Sequence, residues 1–71
     1  MQDTNVPIKQ ITVGDTYHLC GDLQNGSFVT HEEVTRKVVR ITDEHVICEC
    51  GRKFIINNNL IITIPKWRKI Q

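Results

Sequence analysis

The stretch "VTRKVVRITDEHVICECGRKFIINNNLIITI", residues 34–64, constrains the fold most strongly. It is rich in Val, Ile and Thr, and Asp, Gly or Asn interrupts it every few residues. β-Branched side chains lose freedom in a helix and pack well on a pleated surface. Gly and Asn supply the left-handed backbone that tight turns need. Strands are therefore expected in "VTRKVVRIT", "HVICEC", "KFII" and "LIITI". Turns are expected at Asp43–Glu44, at Gly51–Arg52 as a two-residue hairpin, and at Asn57–Asn59, and Pro65 closes the last strand. In the first of these strands, strict alternation puts Arg36, Val38 and Arg40 on one face and Thr35, Lys37, Val39 and Ile41 on the other.

The first half continues the pattern less regularly. Ile11 and Val13, then a Gly14–Asp15 turn, lead into Tyr17 and Leu19 in alternation. In "GDLQNG", Gly21, Asn25 and Gly26 read as turn residues. "SFVTHEE" fits a short strand, a loop, or a single helical turn, because Thr30 and Glu33 have capping-box spacing. No long helix, internal repeat or domain boundary is expected. Four or five short strands at such spacing suggest a small barrel or sandwich, and closure would remove exposed edges.

The chain has 71 residues, which bounds it to one domain with a small core. Such a chain benefits from a disulfide, a metal or a partner. Its three cysteines are too few, and odd in number, for a disulfide scaffold. "MQDTNVPIKQ" lacks the apolar run of a signal peptide, and "LIITI" is too short to span a bilayer. The expectation is a cytoplasmic protein with reduced thiols and no membrane partner, as monomer or homodimer.

Three groups of side chains are candidates for chemistry. Cys48 and Cys50, one residue apart, share a strand face with Val46, as do His18 and Cys20 on theirs. Were those two strands neighbours, His18, Cys20, Cys48 and Cys50 would offer a four-ligand set for zinc. Against this, thiols two residues apart on a flat strand stand roughly 7 Å apart. Core packing is therefore the favoured expectation, with no cofactor: Val46, Cys48 and Cys50 line the interior with Val39, Ile41, Phe54 and Ile56.

The second group is basic. Residues 1–35 set Lys9 against Asp3, Asp15, Asp22, Glu32 and Glu33, a net −4, and residues 36–71 carry a net +5. Arg36, Arg40, Arg52, Lys53 and the tail Lys66, Trp67, Arg68 and Lys69 are candidates for phosphate contacts and base stacking. The competing expectation is that the halves neutralise one another across adjacent strands, with Trp67 capping an open barrel end. The third group, "THEE" at residues 30–33, is the densest polar cluster, and it reads as a solvated loop or helix cap. No Gly-rich phosphate loop is present, and no enzyme activity is expected.

"VGDTYHL" resembles the opening of many SH3-like barrels, and residues 34–61 resemble the central meander of Tudor- and KOW-type small barrels. The resemblance covers roughly residues 12–64. It is also similar to short phage and prophage proteins that begin "VGD". It implies an all-β, SH3-like barrel of about five short antiparallel strands, with a core over about residues 11–64 and a basic tail at 65–71. With Tyr17, Phe28, Phe54 and Trp67 as its only aromatics, the chain lacks an aromatic cage for methylated side chains. The functional expectation is a non-catalytic binding module, an accessory or inhibitory protein acting through another protein by a strand edge or loop face. The alternative is a weak nucleic-acid binder using the basic residues.

Overall fold

The computed structural model describes residues 5–67. A short 3-10 turn at Ile8–Gln10 precedes five strands: β1 (Thr16–Asn25), β2 (Phe28–Ile41), β3 (His45–Cys48), β4 (Lys53–Ile55) and β5 (Ile61–Thr63). All pairings are antiparallel and belong to one sheet, as the all-β expectation requires. The pairings β1–β2, β2–β3, β3–β4 and β4–β1 complete a circuit, and β5 also lies against β1. This small sheet is compatible with a barrel-like fold. No α-helix occurs among the described residues.

β1 and β2 form a long hairpin around a two-residue loop, with ten Cα pairs from Asn25↔Phe28 to Thr16↔Lys37. The irregular first half of the chain is thus mostly two continuous strands. Gly21 lies inside β1 and is no turn residue. A β-carbon there would come within 2.9 Å of Leu60 Cδ1 and 3.1 Å of Leu60 Cα. The glycine therefore serves close approach of a distant segment, a known use of glycine within a strand. "SFVTHEE" supplies no helical turn: from Phe28 onward it is β2.

The core is built from alternate residues. On β1, Tyr17, Leu19 and Leu23 are buried, and they meet Val38, Val46, Cys48, Phe54, Ile62 and Ile11. Phe54 is fully enclosed, and its β4 backbone bridges to Leu23 of β1. The Tyr17 hydroxyl accepts a hydrogen bond from the Thr12 backbone N–H at 2.9 Å, which meets the polar need of a buried phenol. Among the described residues, no buried side-chain nitrogen or oxygen lacks a partner.

Two local irregularities correct the expected faces. Val38 pairs with Cys48, but Arg40 pairs with Ile47, so Val39 is an extra residue in β2. A bulge reverses the alternation beyond it. Val38 and Ile41 consequently face the core side, whereas Val39 is exposed and is no lining residue. Arg36 and Arg40 fall out of phase and do not share a face. The second irregularity is the β3–β4 turn. It is a three-residue loop, Glu49–Gly51, closed by Cys48 N–H to Arg52 O at 2.9 Å and Gly51 N–H to Cys48 O at 2.9 Å. Gly51 has φ +93°, the left-handed residue that such loops place last. The strand ends at Cys48, so Cys50 enters the loop and is exposed instead of lining the interior.

Candidate interaction surface

The same alternation that buries Tyr17, Leu19 and Leu23 points His18, Cys20 and Asp22 to the other face of β1. Their β2 partners are Thr35, Glu33 and His31. These six side chains form a polar ladder. His18 bonds through Nδ1 to Thr35 Oγ1 at 2.8 Å and through Nε2 to Glu33 Oε2. His31 Nε2 lies 3.6 Å from Cys20 Sγ, and its Nδ1 lies 3.3 Å from Asp22 Oδ1. The other Asp22 oxygen accepts from the amides of Asn57 and Asn59, each at 3.1 Å. Those two amides and His31 hold the Asp22 carboxyl below its ordinary range. The "NNN" turn therefore anchors an acid as well as reversing the chain. The period-two spacing of "HLCGD" and "HEEVT" was the available signal for this ladder. Gly21, which resembles a turn residue, hides the continuity of the first segment, and "SFVTHEE" is equally compatible with strand, loop and helical turn.

The other two cysteines sit in unlike surroundings. Burial pushes the Cys48 thiol up to about 11. For Cys50, desolvation acts upward, but the Arg52 backbone and guanidinium, with Arg36, outweigh it and lower the thiol below its usual value. Arg52 Nη1 donates to Cys50 Sγ at 3.1 Å, and Arg52 Nε donates to Glu32 Oε1 at 2.8 Å. Glu32 and Cys50 fix the positive charge of Arg52 more firmly than in free arginine.

The zinc set does not converge. β1 and β3 are not paired, so the neighbour relation it needed is absent. Cys48 is in the core, Cys50 is in the loop, and His18 and Cys20 face outward with β2 partners. Among the described residues, no group of three or more His, Cys, Asp or Glu is gathered for a metal ion.

The basic candidates are dispersed. Arg52 is bound to Glu32 in an ion pair that links the acidic and basic halves of the chain. Arg40 and Lys53 are exposed, and Arg36 is half-buried and out of phase with Arg40. Lys66 and exposed Trp67 border a cleft with His18, Thr35, Thr63, Ile64 and Pro65. Arg68 and Lys69 lie outside the described residues. That cleft is about 250 Å³, and a second one, lined by Val6, Ile56, Asn57 and Leu60 among others, is about 230 Å³. Both fall below the roughly 300 Å³ at which small-molecule sites begin.

An open strand edge remains. β3 pairs with β2 only from Val38 onward, so among the described residues nothing pairs with the outer edge of β2 from Phe28 to Arg36. The direction of its backbone groups follows from the ladder. Val38 exchanges bonds with the β1 side, to Asp15 O at 3.0 Å and from Gly14 N–H at 2.7 Å. Lys37 O accepts from Glu49 on the opposite side at 2.9 Å. Antiparallel residues alternate in this respect. Val29, His31, Glu33 and Thr35 therefore aim their N–H and C=O groups at the open edge. At its tip, Phe28 is 73% exposed and Val29 56%.

The chain matches no family model, no curated protein and no solved structure. No helix among the described residues is long and apolar enough to cross a membrane.

Proposed function

We propose that the protein is a non-catalytic binding module that acts on another protein by accepting an extended segment along β2. The SH3-like assignment and the kinship with phage-encoded chains belong to the same reading, as does an accessory or inhibitory role in the cytoplasm. The observation that carries it is the run of four outward backbone rungs from Val29 to Thr35, next to exposed Phe28 and Val29. Unpaired strand edges are templates for another strand, with main-chain bonds giving affinity and side chains giving selectivity. The edge carries Glu33 and the exposed Phe28 side chain, so the segment that fits it is apolar with a basic residue near its middle.

A nuclear magnetic resonance titration with a soluble peptide of alternating lysine and valine tests this reading. Binding should slow amide exchange at Val29, His31, Glu33 and Thr35 and leave the opposite edge unchanged. Val29→Pro should abolish it, because a proline there removes an outward N–H and spares the β1–β2 ladder. Protection of the same amides on raising protein concentration alone would identify a second copy as the occupant. A single-stranded oligonucleotide that instead shifts Arg40, Lys53 and Lys66, with salt-sensitive affinity and no effect from Val29→Pro, would overturn the reading in favour of nucleic-acid binding.

A further inference from the structure

The structure assigns Cys20, His31 and Asp22 to one unit, and we propose that Cys20 is a base-assisted nucleophilic thiol that exchanges with small disulfides. A nucleophile, a base within hydrogen-bond reach and a third group that orients the base are the recognisable parts of such a site. Here they are Cys20 Sγ, His31 Nε2 at 3.6 Å and Asp22 Oδ1 at 3.3 Å from His31 Nδ1. By accepting the Nδ1 proton, Asp22 selects the tautomer whose Nε2 lone pair faces the thiol. Asn57 and Asn59, both donating to the far oxygen of Asp22, fix that carboxylate from across the fold. Asp22 and Asn59 are 37 residues apart in sequence, so the arrangement is a product of the tertiary structure. The base is solvent-exposed and the thiol is half-buried on a rigid paired strand, which leaves the sulfur approachable from one side.

The step balances without a cofactor. His31 Nε2 takes the Cys20 proton, and the thiolate attacks one sulfur of a small disulfide RSSR. The Cys20–sulfur bond forms as the RS–SR bond breaks. The departing RS⁻ then takes the proton from His31, giving a mixed disulfide and RSH. Cys48 is enclosed in the core and Cys50 lies in the β3–β4 loop, so neither is placed to displace the adduct. Cys20 is thus a site of reversible thiol modification on the outward face of the hairpin.

The titratable groups facing Cys20 are His18 and Asp22 on β1 and His31 and Glu33 on β2, whereas its β5 partner is Ile61. The test uses neutral dipyridyl disulfide, released pyridinethione as the readout, and a Cys50→Ser background that removes the arginine-assisted thiol. In folded protein, Cys20 should react faster than in the urea-unfolded chain. His31→Gln should slow it on the order of tenfold, less than the roughly 10²–10⁴-fold of fully engaged general bases because this base is solvent-exposed. Asp22→Asn should slow it less. Circular dichroism establishes that each variant folds, and His31→Asn replaces His31→Gln should the latter not fold. Equal rates in wild type and in the folded His31 variant, or a Cys20 rate no greater than in the unfolded chain, would overturn the proposal.

Discussion

The two ends of the β1–β2 hairpin share one ladder and contrast in almost everything else. Toward the base, Tyr17, Leu19 and Val38 are buried, and β3, β4 and β5 complete the sheet around them. Toward the tip, Asn25 to His31 are all exposed, and no strand covers the outer edge of β2. The molecule is correspondingly elongated, 39 × 24 × 19 Å. The backbone hydrogen bonds are of one kind at both ends, so they do not distinguish them. Apolar burial does: it stabilises the base by roughly 1.5–3 kcal/mol per enclosed large side chain, and the tip has little of it. The base holds the fold, and the tip is free to serve as a surface.

The sharpest way to break this contrast is Phe54→Ala. Phe54 is fully enclosed and lies where β4 meets β1. Removing the ring should destabilise by about 3–5 kcal/mol, the range for buried aromatic truncations. In a domain of this size that is a large fraction of total stability. Urea denaturation should show the variant largely unfolded without denaturant. A loss below about 1 kcal/mol would mean that the circuit through β4 contributes little and that the base resembles the tip.

The next test separates the thiols by pH. The folded state holds Cys48 at about 11, above the ordinary value of 9.0. A group whose protonated form is favoured by folding contributes stability that is complete below its unfolded pKa. That contribution is lost as pH rises from about 9 through about 11. Stability measured by urea denaturation should therefore decline across this alkaline window, and Cys48→Ala should flatten the decline while lowering stability at neutral pH. An unchanged alkaline slope in Cys48→Ala would mean that this thiol is not held neutral by the core.

The same contrast explains what was legible from sequence. The base was: β-branched density, Asp43–Glu44, Gly51 and Asn57–Asn59 placed β3, β4 and β5, because these are local signals, although the β3–β4 loop is Glu49–Gly51 and not the expected two-residue turn at Gly51–Arg52. Three features were not. Val39 is chemically interchangeable with Val38, so nothing local marks which of the two the bulge expels. Gly21 resembles a turn residue, and only the approach of Leu60, far along the chain, explains it as strand. Cys50 alternates correctly with Cys48, yet the three-residue loop ends the strand before alternation applies. The polar ladder on the hairpin was missed for a related reason. His31 and Asp22 are nine residues apart and meet only through the register of a hairpin whose loop is Gly26–Ser27. The candidate zinc set did not converge because it rested on an assumed adjacency of strands, a property of topology.

The smallest expected effect is at the tip, and it is the one that sharpens the comparison most. Phe28 is 73% exposed, so Phe28→Ser removes little buried apolar area and should change stability by less than about 0.5 kcal/mol, as surface substitutions usually do. Set beside Phe54→Ala, the pair compares two phenylalanines of one sheet whose costs differ chiefly through burial. The same variant should weaken binding of the alternating lysine–valine peptide, because Phe28 lies at the start of the open edge. Stability follows from urea denaturation and affinity from the peptide titration, both on one preparation. A destabilisation of about 2 kcal/mol that grows with protein concentration would mean that Phe28 is buried in solution against a second copy. The tip would then be an interface within a dimer, and the contrast between a core-bearing base and a free surface would hold only for the isolated chain.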